Sequence, residues 1–164
     1  MYIRLGKFQL QTDPEKTRKF YKKMKYVTDG CGCAGCRNFE KAVDYMPDEV
    51  FCFFHSLGID MKKITEIYVN RANPDGTLPY GGFCHLCGTM SEGKSAWVET
   101  QETSDSKTFV WQKANTYEIS DDFRVSFQEE CALVEKGFPR PVLQMEIEAA
   151  IPWVLEEEIG RAHV

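Results

Sequence analysis

The sequence predicts an α+β protein: an N-terminal strand and a helical hairpin followed by an antiparallel β-sheet, with a zinc-knuckle-like cysteine site. Three observations carry this. Apolar residues recur twice at helical spacing between Arg37 and Gly58, the period then falls to two, and cysteines cluster on glycine-rich stretches.

At the N-terminus Ile3, Leu5, Phe8 and Leu10 alternate with a slip of phase near Gly6, which predicts one strand with a bulge. Thr12 or Asp13 then caps a helix with Pro14 at its first position, and Phe20, Tyr21 and Met24 share its apolar face. The lysines that crowd this segment also fit an extended basic arm. Three glycines in 30–35 predict a loop, on which Cys31, Cys33 and Cys36 ride. Phe39, Ala42, Val43 and Met46 mark a helix that Pro47 ends; Val50, Phe53, Phe54 and Leu57 mark a second, stopped at Gly58.

Ile64 to Arg71 reads as a strand, Asn73-Pro74-Asp75-Gly76 as a turn, and Tyr80 to Thr89 as a strand interrupted at Gly81 and Gly82. Strands follow at Ala96 to Thr100, Phe109 to Lys113 and Tyr117 to Ser120. Asp121-Asp122 turns the chain into the alternating run Phe123, Val125, Phe127. In the last strand Leu143, Met145, Ile147, Ala149 and Ile151 face one way, and Gln144, Glu146 and Glu148 the other.

The 164 residues suit a single domain over 1–158. Residues 159–164, IGRAHV, match the translation of a sequencing adapter, so a non-native or disordered tail is expected there and His163 carries no information. No apolar run spans a membrane and MYIRLGKFQL lacks the apolar block of a signal peptide, which predicts a cytoplasmic protein. A net charge of −5 argues against nucleic acid as the main partner. The charge is uneven: residues 1–30 hold eight Lys/Arg against three Asp/Glu, residues 118–158 three against eleven. The acidic half is either a solvated face or a docking surface for a basic partner, with Asp121, Asp122, Glu146 and Glu148 as its candidates.

Seven cysteines without a secretory signal predict reduced thiols. Zinc favours thiolate, and a Cys-x2-Cys turn offers two sulfurs to one tetrahedral ion. Cys33, Cys36, Cys84 and Cys87 supply two such pairs and are the expected ligands of a structural zinc, with Cys31, Cys52 and His55 as alternates. Cys33-x2-Cys36 before a helix also fits thiol-redox chemistry, although no βαβ pattern surrounds it, and the spacing matches neither ferredoxin pattern. Cys131 reads as core.

No catalytic constellation is present. Phosphate-binding, dinucleotide, zincin and nucleophile-elbow motifs are absent, and the loose match of Pro74-Asp75 with Glu92-Gly93-Lys94 to a metal-dependent nuclease places Asp75 in a turn. Tyr80, Phe83, Trp97, Phe109 and Trp111 fall on neighbouring strands, either as sheet core or as a stacking pocket for a nucleotide-like small molecule.

At C-G-C-A-G-C-R-N-F (Cys31 to Phe39), F-x-x-L-G-I-D (Phe54 to Asp60) and I-P-W-V-L (Ile151 to Leu155), the chain resembles a family of small cysteine-motif proteins of gut Firmicutes and their phages and mobile elements. The resemblance implies the order of elements given above and a natural end soon after Trp153. No activity comes with it, and Cys84 to Cys87 stands outside its pattern. The expectation it leads to is a non-enzymatic, zinc-stabilised accessory protein that binds a host protein, in the manner of a counter-defence inhibitor. Sequestration of a nucleotide-like signal and thiol-redox activity are the alternatives.

Overall fold

The computed structural model describes residues 1–69, 74–102 and 106–157. The expected tail at 159–164, and residues 70–73 at the end of the predicted strand and the start of its turn, lie outside them.

The chain opens with a hairpin, β1 (Tyr2–Leu5) and β2 (Phe8–Thr12), not one bulged strand. Leu5 pairs with Phe8 across Gly6-Lys7, and Gly6 at φ 58° supplies the positive φ that a tight two-residue turn demands. The slip of phase in the sequence is therefore a reversal of the chain. Asp13 then caps α1 (Pro14–Tyr21), its carboxylate accepting the Lys16 N–H at 3.1 Å, with Pro14 in the first turn as predicted. A short turn of helix, α2 (Val27–Gly30), leads to α3 (Ala34–Ala42), and after Pro47 to α4 (Asp48–Ser56). The apolar faces of α3 and α4 lie on the sheet: Phe39, Val50 and Phe54 are all buried, each contributing about 1.5–3 kcal/mol relative to exposure.

The remainder is β3 (Glu66–Val69), β4 (Leu78–Glu92), the ribbon β5 (Trp97–Glu102) with β6 (Lys107–Trp111), and β7 (Tyr117–Ser120), β8 (Phe123–Gln128) and β9 (Val142–Ile151). The main sheet is antiparallel, in the order β1-β2-β4-β9-β8-β7, with β3 also paired to β4; β5 and β6 form a separate two-stranded sheet. β4 is not interrupted at Gly81 and Gly82. It pairs with β9 without a break from Leu78 to Cys87. The two glycines are where β3 approaches: a Cβ on Gly81 would lie 2.3 Å from the Tyr68 ring, and one on Gly82 2.3 Å from the Glu66 carbonyl.

β4 pairs with β3 at residues 80–83 and with β2 at residues 88–92, which leaves Cys84 to Cys87 without a strand partner on that side. α1 fills the gap. The Asp13 N–H donates to the Cys87 carbonyl (2.9 Å), the Cys87 N–H to Thr17 Oγ1 (2.9 Å), and the Tyr21 hydroxyl to the His85 carbonyl (2.8 Å). Backbone groups that would otherwise be buried without partners are satisfied by this helix. The same contacts exclude the extended basic arm.

The apolar row of β9 is buried as predicted, but its polar row is not solvated: Gln144 is 2% and Glu146 4% exposed. β9 is a central strand, and its second face is covered by β5 and by residues 129–141. Ala132 N–H reaches the Gln144 Oε1 at 2.7 Å, Ala96 N–H reaches Ser126 Oγ at 2.8 Å, and Phe138 packs edge-on to His85. No helix among the described residues is long and apolar enough to cross a membrane.

Candidate metal centre

The Sγ atoms of Cys31, Cys33 and Cys36 lie within 4.8 Å of one another, close enough to hold a metal ion. Helix α3 starts at this point because Cys33, extended at φ −66° and ψ 160°, serves as its N-cap. Its sulfur accepts the Cys36 N–H at 3.5 Å, in the place where serine or aspartate would present oxygen. Cys36 thus sits in the first turn, and Cys31 approaches from the end of α2, whose last turn closes with Cys31 N–H to the Val27 carbonyl at 3.2 Å.

Neighbouring groups hold this turn rigidly. The Tyr80 hydroxyl donates to the Gly35 carbonyl (2.7 Å), the Arg37 Nε to the Gly32 carbonyl (3.0 Å), and Arg37 pairs with Glu157. Asn38, fully buried, donates to the Tyr80 hydroxyl and the Pro152 carbonyl and accepts the Val154 N–H at 2.7 Å. The C-terminal segment is thereby tied to the helix that bears Cys36.

The thiols differ. The Cys33 backbone amide, bonded to the Cys31 sulfur and assisted by the Cys33 and Cys36 thiols, lowers the Cys31 pKa, against smaller upward pushes from burial and then from the Glu66 charge. Burial pushes the Cys36 thiol well up, and its role as donor to the other two sulfurs adds to this. Where an ion replaces the shared protons, the start of α3 and the nearby Arg37 guanidinium offset the thiolate charge. A tetrahedral ion with metal–sulfur bonds of about 2.3 Å needs its sulfurs about 3.8 Å apart. The side chains therefore have at most about 1 Å to travel.

The expected second pair, Cys84 and Cys87, does not join the centre. A Cys-x2-Cys pair chelates from a turn, whereas here both residues lie in regular β4, where positions i and i+3 point to opposite faces. Cys84 is fully buried beside Tyr21 on the helix-covered face, and burial pushes its thiol well up. The Cys87 thiol donates to the Arg140 carbonyl at 3.7 Å and is likewise pushed up by burial. Of the alternates, Cys31 belongs to the cluster; Cys52 and His55 are exposed on α4 and outside it. Cys131 is half-buried in the loop that covers β9 rather than in the core. A C-x-C-x2-C run opening a helix was the usable signal; the β4 pair shares its spacing but not its backbone.

The five aromatic candidates do not form one pocket. Tyr80 is buried on the helix side against Phe39, with its hydroxyl pushed up to about 12 by burial. Phe83 lies on the opposite face near His85, Trp97 and Trp111 pack edge-on across the ribbon with centroids 5.0 Å apart, and Phe109 is exposed. The acidic candidates also divide. Asp121 and Asp122 are exposed at the β7–β8 turn, and Glu148 is half-buried opposite Arg124. Glu146 is shut inside, where burial raises its pKa while Gln144 and Trp97 hydrogen-bond to it. It cannot form part of a docking face.

Compared with protein-family models, with curated proteins and with solved structures, the chain finds no match in any of the three.

Proposed function

We propose that the chain is a non-enzymatic, zinc-stabilised binding protein whose ion is held by Cys31, Cys33 and Cys36. The observation that carries this is the convergence of three sulfurs at the start of α3. Three soft donors favour zinc over magnesium or calcium, and the lack of a fourth thiol at the cluster argues against an iron–sulfur cube. Water or a partner's side chain completes the tetrahedron. The sequence resemblance to proteins of phages and mobile elements supports a role in the cytoplasm of a bacterial host, directed at a host protein. Asp121, Asp122 and Glu148 are the acidic positions left for a basic partner.

The test is elemental analysis of the chain purified without added metal. About one zinc per chain is expected, with loss of the ion and of thermal stability in Cys33→Ser. Zinc below about 0.2 per chain, with folding unchanged in a strong chelator, overturns the reading. A reversible disulfide among the three thiols in place of the ion would support thiol-redox chemistry instead, for which the lowered Cys31 beside the raised Cys36 is the favourable feature.

A further inference from the structure

Residues 58–63 fold back between α4 and β3 and leave an open cleft of about 400 Å³ against α1, within the range of small-molecule sites. Its floor is apolar: Val43, Phe54, Ile59 and Met61 are all buried side chains. Its rim is cationic. Arg18 and Lys22 come from α1 and the residue after it, Lys62 and Lys63 from the turn, against the two carboxylates Asp44 and Asp60.

These cations are not equally committed. Lys62 Nζ lies 2.8 Å from Asp44 Oδ1, and Lys63 Nζ donates to the Tyr21 carbonyl at 3.1 Å. Arg18 donates to the His55 carbonyl at 2.9 Å and pairs with Glu15, a largely exposed side chain outside the cleft. Lys22 is exposed and makes no ion pair among the described residues. Four cations against these two carboxylates and Glu15, the partner of Arg18, leave the cleft with a surplus of one positive charge.

Phe51 stands at the cleft edge and is 54% exposed, so its ring is accessible from solvent. Its ring lies near-parallel to that of His55, 6.1 Å between centroids and 10° between planes. An apolar floor, an aromatic ring at the edge and a net positive rim are complementary to one kind of ligand. We propose that this cleft binds an aromatic phosphate monoester of mononucleotide size. The ring stacks on Phe51 and the phosphate is held by Lys22 and Arg18. The site is separate from the thiolate cluster, so neither reading depends on the other.

Isothermal titration of the full chain with adenosine and uridine monophosphates tests this, with adenosine and inorganic phosphate as controls. Saturable binding of the monophosphates at ~10–500 μM is expected, with each control at least ~tenfold weaker. Phe51→Ala and Lys22→Glu, both at exposed positions, should keep the melting temperature and weaken binding at least ~tenfold. In the wild type, amide shifts on titration should map to α4 and 58–63, a readout independent of any variant. The proposal is overturned by absence of saturable binding up to ~5 mM, by inorganic phosphate binding as well as the monophosphates, by unchanged affinity in both variants, or by shifts confined to other parts of the chain.

Discussion

Gln144 Nε2 donates to Glu146 Oε1 over 2.6 Å, two residues along one face of β9 and out of reach of water. That bond orients the Gln144 amide, so its oxygen accepts both the Ala132 N–H and His85 Nε2, 3.0 Å away. His85 therefore carries its proton on Nε2 and accepts from Thr65 Oγ1 at Nδ1, over 3.2 Å. Burial raises the Glu146 pKa, so the folded state binds this proton more tightly than the unfolded chain does. The stability it contributes is fully present below the unfolded value of about 4.5 and is lost as pH rises through the folded one. Glu146→Gln should remove this loss. His85, lowered by burial, acts in the opposite sense, its contribution falling away as pH drops below about 6.5. The quantity to measure is thus the difference between wild type and Glu146→Gln in urea unfolding from pH 4 to 8; a difference that does not grow with pH contradicts the assignment.

The cysteines separate into two chemical classes, and zinc content should follow that division. Cys36→Ser should lose the ion and several kcal/mol of stability, since metal binding at such a site is part of the folding free energy. Cys87→Ser should keep the ion, because its sulfur belongs to another part of the sheet. Cys84→Ala should also keep it while losing about 1–2 kcal/mol to the small cavity left beside Tyr21. Loss of zinc from Cys84→Ala or Cys87→Ser, with the fold retained, would return these residues to the ligand set.

Features governed by neighbouring residues were legible in the sequence. The Asp13 cap with Pro14, the helical pair closed at Pro47 and Gly58, and the apolar row of β9 each depend on contacts a few residues apart. Two of the three sulfurs of the candidate centre were legible for the same reason, Cys33 and Cys36 spanning one helical turn. Its third sulfur, Cys31, stood among the alternates because spacing alone does not rank C-x-C against C-x2-C. What could not be read depends on distant segments. Gly81 and Gly82 look like strand breakers until Tyr68 and Glu66 are seen to occupy the space their side chains would take. An uninterrupted β4 then forbids a knuckle at Cys84 to Cys87. Glu146 looks solvated because alternation gives the face but not what lies on it, here Trp97 and the loop at 129–141.

Asn38→Ala should show how firmly the C-terminal segment holds the helix that carries Cys36. It removes three hydrogen bonds and leaves the Pro152 carbonyl and the Val154 N–H without this partner. A loss of about 2–4 kcal/mol is expected, or roughly 5–15 °C in melting temperature. Limited proteolysis near residues 152–157 should accelerate by more than global unfolding explains. A variant that melts within about 1 °C of wild type would deny Asn38 this role.

The two glycines of β4 allow a test of packing against backbone. At Gly81 the three atoms nearest an added Cβ all belong to the Tyr68 side chain, at 2.3–2.7 Å. At Gly82 the nearest is the Glu66 carbonyl oxygen, at 2.3 Å, which no side-chain truncation removes. Both Gly81→Ala and Gly82→Ala should destabilise, by about 1–3 kcal/mol or more, as overpacking does in a closely packed region. Their rescue should differ. In a Tyr68→Ala background, Gly81→Ala should cost at least about 1 kcal/mol less than in wild type, a coupling expected of residues in direct contact. In an Ile67→Ala background Gly82→Ala should keep most of its cost, because the clash with the β3 backbone persists although the Ile67 Cδ1 contact at 2.9 Å is gone. Equilibrium unfolding of both double-mutant cycles decides the matter: equal coupling in the two would mean that β3 sits against β4 in some other way than the register Tyr68 with Gly81 and Ile67 with Gly82.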